Sequence, residues 1–99
     1  MGILDNLTHK AKVGRSDDVD YVIYHLTNKP SIALTRFVDY ALSLVENPDG
    51  VNRIEHHLFN GTQIQRNYCT LYFNRLGEWE KVKKAYDLGL IDEIQAYSR

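Results

Sequence analysis

The chain repeats itself with a period of 32 residues, and this self-similarity constrains its fold more than any other feature. When residues 13–46 are laid over residues 45–78 without a gap, ten of the 34 positions are identical. About two identities are expected by chance from average residue frequencies. The recurring positions are Val13/Val45, Asp17/Asp49, Val19/Val51, His25/His57, Leu26/Leu58, Asn28/Asn60, Ile32/Ile64, Tyr40/Tyr72, Leu44/Leu76 and Glu46/Glu78. A period of this length is typical of stacked helical hairpins, because one hairpin cannot bury its apolar surface alone.

Hydrophobic periodicity predicts that the repeated element is helical. Apolar residues recur at helical spacing almost throughout the chain, and strand-like alternation is nowhere sustained. Turn residues divide the pattern into seven predicted helices, at about residues 3–12, 17–27, 30–46, 50–59, 62–76, 78–88 and 92–98. We therefore predict an all-α fold.

Capping residues support these boundaries. Pro30 lies two residues after Asn28, and Pro48 directly follows Asn47, so we expect each asparagine to cap a helix with proline in its first turn. Thr62 and Gln65 form a capping-box pattern, and Asp92 with Gln95 forms a looser version. Gly77 and Gly89 suit the left-handed position that ends a helix.

One part of the chain resembles a known repeat family. The pattern consists of a polar start, an apolar helix, a tight turn and a second helix, carried by Ile64-x-Arg66, Asn74-Arg75-Leu76-Gly77-Glu78, Val82 and Ala85. It resembles a HEAT repeat, and the short period is similar to the HEAT-like repeats of the phycobilin-lyase type. The resemblance is best over residues 60–90. It departs from the family in bulk at Tyr68, Tyr72 and Phe73, where small alanines are preferred.

The resemblance implies a short right-handed α-solenoid of about three hairpins. The predicted repeats are residues 1–27, 28–59 and 60–91, and the predicted C-terminal helix 92–98 caps the stack within a single domain of residues 1–99. HEAT-like solenoids mostly bind other macromolecules along a curved surface lined by their second helices. Some members are enzymes and a few bind DNA, so the fold alone does not identify a reaction or a ligand.

Composition narrows the range of functions that the chain can have. The formal net charge is −1, which gives no global electrostatic case for nucleic acid or an acidic membrane. No run approaches the ~20 apolar residues needed to span a bilayer. The single cysteine excludes an internal disulfide framework and a cysteine-built zinc site, and it fits a reduced, cytoplasmic location.

The function that we predict is non-catalytic binding of a protein partner, with no cofactor, through the second helices of the hairpins. The candidate contact residues are Tyr21, Tyr24, Arg53, His57, Trp79 and Lys83. Seven tyrosines are present, and we expect most of them to lie in the core, with any surface group acting as contact anchors.

Three alternatives stay open. A metal-dependent HEAT-like enzyme or lyase subunit would use His25, Glu55, His56 and His57. A nucleic-acid-binding repeat protein would use Arg66, Arg75, Lys81, Lys83 and Lys84, although Glu78, Glu80 and Asp87 lie among them. A homodimer would dock through the apolar residues 1–7. Cys69 is interpreted as a small core residue rather than a nucleophile, since it lies in the middle of a predicted helix.

Overall fold

The computed structural model describes residues 2–99, and within that range it contains seven α-helices and no strand. The helices are α1 (Ile3–Val13), α2 (Ser16–Ile23), α3 (Ile32–Ser43), α4 (Pro48–Asn60), α5 (Gln63–Leu76), α6 (Trp79–Asp87) and α7 (Glu93–Ala96). The predicted all-α class and the number and order of the helices are confirmed. Met1, the first residue of the segment proposed for a homodimer, lies outside the described residues.

Most helix ends follow the predicted capping chemistry. Asn47 Oδ1 accepts a hydrogen bond from the Asp49 amide at 3.0 Å, and Pro48 opens α4. Thr62 and Gln65 form the predicted capping box of α5. Gly77 ends α5 in the left-handed conformation with φ 76°.

The structure corrects the predicted start of α3. Asn28 does not cap this helix; Ser31 does, and its side chain accepts a hydrogen bond from the Leu34 amide at 3.1 Å. The predicted proline position is also shifted, since Pro30 precedes the cap. Proline disfavours helical backbone in the residue before it, which keeps Lys29 out of a helix. Helix α2 ends at Ile23, earlier than the predicted residue 27.

The first compact unit extends to Ile54 and is built from α1, α2 and α3, each of which packs on the other two. Its core consists of aliphatic side chains: Leu7, Ala11, Val19, Val22, Ile23, Leu26, Val38, Ala41, Leu42, Val45 and Ile54. These residues recur at helical spacing, which explains why the hydrophobic pattern predicted the helices.

The first turns of α4 belong to this unit and lie against the corner between α1 and α2. A Cβ atom added to Gly50 would stand 2.1 Å from the carbonyl oxygen of Gly14. Asp49 accepts a hydrogen bond from the Ser16 amide at 2.9 Å. Arg53 donates from Nε and Nη2 to the two carboxylate oxygens of Asp20, at 2.7 and 3.1 Å.

The second unit comprises residues 55–99, where α5, α6 and α7 pack on one another. Phe73 and Cys69 are fully buried in its core. Arg66 binds two backbone carbonyls and one side chain of the unit. Its Nε donates to the Leu90 carbonyl at 2.7 Å and its Nη1 donates to the Gly61 carbonyl at 2.7 Å, while Nη2 reaches Gln63 Oε1 at 3.0 Å.

Residues that match across the repeat share an environment only in part. Leu26 and Leu58 are both buried, but other matched pairs differ. Tyr40 is exposed and its counterpart Tyr72 is buried. Among the seven tyrosines Tyr72 is the one that belongs to the buried core, so the expectation that most tyrosines are core residues is wrong. A phenol hydroxyl retains its hydration at the surface, and aliphatic side chains already fill the core. The three-hairpin stack stays a prediction.

Candidate partner-binding site

An open groove lies in the second unit. It has a volume of about 540 Å³, which is in the range of ligand-binding clefts. Its walls come from the end of α5, from α6, and from α7 with the residues that follow it. The groove is more apolar than polar, and three aromatic side chains line it: Trp79, Tyr86 and Tyr97.

Helix α6 supplies one wall. Trp79, Val82, Lys83 and Tyr86 lie at i, i+3, i+4 and i+7, which places them on one face of the helix. The left-handed Gly77 closes α5 and redirects the chain, so that α6 begins at Trp79. The Trp79 side chain is 60% exposed, although tryptophan is usually well buried.

The opposite wall is held in place by a buried amide. Asn74 Nδ2 donates hydrogen bonds to the Ala96 carbonyl at 3.0 Å and to the Ser98 carbonyl at 2.6 Å. Asp92 caps α7 by accepting from the Gln95 amide at 2.7 Å. A four-residue helix is too short to be stable by itself. Asn74 therefore fixes the segment that presents Tyr97 to the groove, where this ring is 80% exposed.

We expect Asn74→Asp to release this segment. The carboxylate has no N–H to donate and would face two carbonyl oxygens, at a local cost of about 1–3 kcal/mol. Hydrogen exchange measured by NMR should speed up at the amides of residues 95–98, while the amides of α5 stay protected. Asn67→Asp is the matched control, because Asn67 Oδ1 accepts from Gln63 and a carboxylate keeps that role. Unchanged exchange in Asn74→Asp would contradict this assignment.

The charged groups of the groove balance one another. Lys83 Nζ lies 2.7 Å from the Asp87 carboxylate one helical turn away. The hydrogen bond to Asp87 raises the pKa of Lys83 above its ordinary value, so the lysine stays charged at neutral pH. Glu93 and Arg99 complete the charged lining. Two positive and two negative side chains leave the groove with no formal net charge.

The predicted contact residues fall in two places. Trp79 and Lys83 line the groove, whereas Tyr21, Tyr24 and Arg53 belong to the first unit. Tyr21 and Tyr24 are exposed. Arg53 is already engaged, and its hydrogen bond to Asp20 raises the pKa of the guanidinium, with a smaller contribution from Tyr24.

His57, one of the predicted contact residues, is buried in the structure. This residue is only 4% exposed, because it lies on the core side of α4 next to Leu58. Its imidazole packs edge-on against that of His56, with the ring centroids 5.4 Å apart. A side chain this buried offers almost no surface to a partner.

The proposed metal ligands do not assemble. Within residues 2–99, no three His, Cys, Asp or Glu side chains form a group able to hold a metal ion, so the set of His25, Glu55, His56 and His57 does not. His25 Nδ1 instead donates to the Tyr21 carbonyl at 2.7 Å. Cys69 is fully buried, and this burial raises the pKa of its thiol, so it supplies no thiolate at neutral pH.

Several residues behind the nucleic-acid alternative are occupied by contacts within the second unit. Arg66 is committed to backbone carbonyls. Lys81 pairs with Glu55 at 2.8 Å, and Lys84 lies over the Phe59 ring. Exchanging such contacts for phosphate contacts would cost energy, which weakens the basis for that alternative without testing it.

Of the groove lining, sequence reasoning named only Trp79 and Lys83 as contact residues, and it missed among others Tyr86, Tyr97 and Asn74. Tyr86 could have been predicted from the sequence, because it follows Trp79 by seven positions on the same helix and so lies on the same face. Tyr97 and Asn74 could not, because they meet only when the end of the chain folds back over 22 to 24 residues.

Comparison of the chain with protein-family models, with curated proteins and with solved structures finds no match. The resemblance to HEAT-like repeats therefore stays an expectation carried by the residues quoted above. The fold and the site define an all-helical protein with an exposed aromatic groove in its second unit. None of the helices in the described range is long and apolar enough to cross a membrane.

Proposed function

We propose that this protein is a non-catalytic interaction module, of helical-repeat type, that binds a protein partner through the groove of the second unit. The observation that carries the proposal is the set of Trp79, Tyr86 and Tyr97, three exposed aromatic side chains that line one cavity of about 540 Å³. Tryptophan and tyrosine are the residues most enriched at interaction hot spots, because they bury large areas at a low entropic cost.

The finer architecture belongs to the same proposal. A right-handed solenoid of three hairpins is supported by the 32-residue period and by the matching order of α2–α3 and α4–α5 along the chain. A cytoplasmic location is supported by the lone cysteine, which is free and buried.

Trp79→Ala is expected to abolish capture of the partner. A central hot-spot residue contributes at least about 2 kcal/mol, which corresponds to a loss of affinity of roughly 30-fold. Affinity purification from the native host with quantitative mass spectrometry, repeated with the variant, measures this change. The thermal midpoint should stay within about 2 °C of that of the natural protein, because the side chain is mostly exposed.

Leu88→Ala provides a matched control for this experiment. Leu88 is also 60% exposed and directly follows α6, yet it does not line the groove. This variant should capture the same partner as the natural protein. Equal losses in both variants, equal retention in both, or enrichment of nucleic acid rather than protein would overturn the proposal.

A further inference from the structure

We infer that the groove binds an uncharged, proline-rich segment in the polyproline II conformation. This inference rests on the proposed function and specifies the chemistry of the partner. Proline-rich segments dock in grooves lined by aromatic side chains, where the pyrrolidine rings pack on the aromatic faces. The rings of Trp79, Tyr86 and Tyr97 provide such faces in one cavity.

The hydrogen-bonding groups of these three side chains support the inference. In the described part of the chain, the Trp79 Nε1–H and the hydroxyls of Tyr86 and Tyr97 have no hydrogen-bond partner. A polyproline II backbone makes no internal hydrogen bonds, so its carbonyl oxygens are available as acceptors. The groove thus offers donors where this ligand has acceptors.

The spacing of the aromatic anchors fits the ligand repeat. Trp79 and Tyr86 are separated by seven residues of α6, or about 10.5 Å along the helix axis at 1.5 Å per residue. A polyproline II helix repeats every three residues, or about 9.3 Å. Two prolines three positions apart lie on one face of the ligand, at a spacing close to the rise between the two anchor residues.

The groove has no formal net charge and therefore provides no net attraction for a strongly charged ligand. Lys83 is neutralised by Asp87 at 2.7 Å, and Glu93 offsets Arg99 in formal charge. An acidic or a basic peptide would meet two groups of like charge as well as two of opposite charge, so it would gain little net attraction. A segment without charge meets no repulsion, which favours proline over the acidic and basic motifs that other peptide-binding modules recognise.

The inference is tested with an acetylated, amidated peptide of about eight prolines, roughly 25 Å long. Trp79 is the only tryptophan of the chain, so its fluorescence reports directly on the groove. We expect saturable binding with a Kd below about 1 mM. An uncharged peptide of alanine, serine and glutamine of the same length should not bind, and neither should an amphipathic helical peptide.

Two variants of Tyr97 distinguish the contribution of its aromatic ring to binding from that of its hydroxyl. Tyr97→Ala should weaken binding at least about 10-fold, Tyr97→Phe should weaken it less, and Leu88→Ala should leave it unchanged. Absence of saturation at 1 mM, equal binding of a control peptide, or indifference to Tyr97→Ala would overturn the inference. If Trp79→Ala still abolishes partner capture while the proline peptide fails to bind, the proposed function stands and the proline assignment falls.

Discussion

Replacing Gly50 with alanine is expected to lower the free energy of unfolding by about 2–3 kcal/mol, the cost of overpacking a tight contact. In most helices the same change stabilises the protein by about 0.5–1 kcal/mol, because glycine is a poor helix former. The sign is reversed here because the added Cβ would stand 2.1 Å from the Gly14 carbonyl oxygen and 2.8 Å from a Val45 methyl. Both neighbours lie in the packed corner of the first unit, and the nearer one is backbone.

Denaturant unfolding followed by circular dichroism measures this effect. Asn52→Ala is the control: it lies in the same helix, its side chain is exposed, and it should change stability by less than about 0.5 kcal/mol. A Gly50→Ala variant as stable as Asn52→Ala would show that α4 shifts away from Gly14 at little cost, and would refute the close contact as a determinant of stability.

Arg66→Met should destabilise the second unit by about 2–4 kcal/mol. Methionine keeps the apolar stem but removes two hydrogen bonds to backbone carbonyls and one to Gln63. Hydrogen bonds from a charged donor each contribute about 1.5–3 kcal/mol, and carbonyls left unpaired in a partly buried place add to the loss. Loss of protection at the amides of residues 61–65 and 88–92 in hydrogen exchange would locate the effect.

Two further variants distinguish the loss of the Arg66 hydrogen bonds from a general loss of positive charge. Arg66→Lys keeps the charge but not the fork of donors, so it should recover less than half of the loss. Arg36→Met, at an exposed arginine of α3, should be nearly neutral. If Arg36→Met costs as much as Arg66→Met, general loss of positive charge would explain the data, and the clamp formed by Arg66 would not.

The helices were predictable because their determinants are local. A capping box such as Thr62 with Gln65, or a left-handed glycine such as Gly77, needs only three or four neighbouring residues to act. The one misplaced cap, Asn28, also has a local explanation: the Ser31 hydroxyl accepts a hydrogen bond from the Leu34 amide, so Ser31 caps α3 and the helix begins at Ile32.

The contacts between helices could not be predicted in this way. Gly50 has the sequence signature of a turn residue, and its contact with Gly14 depends on how α4 lies against the first two helices. Arg66 was one of the basic residues behind the nucleic-acid alternative. Only the tertiary structure shows that its guanidinium binds the carbonyls of Leu90 and Gly61, which lie 24 and five positions away. Identity across the repeat also does not guarantee equal burial: Leu26 and Leu58 are both buried, whereas Tyr40 is exposed and Tyr72 is buried.

The candidate site was predictable in part for the same reason. Trp79 and Lys83 stand on one helix, and an amphipathic pattern places them on a common face. The opposite wall depends on Asn74 capturing the chain after α7, a contact that no local pattern encodes.

The enclosure of Cys69 has a practical consequence for spectroscopy. It is the only thiol of the chain, and it is fully buried with a thiol that resists ionisation. A cysteine introduced on the surface, for example at Leu88 beside the groove, would therefore react with a maleimide dye ahead of the natural one. Distances and rotational freedom around the groove become measurable on the folded protein without first removing its own cysteine.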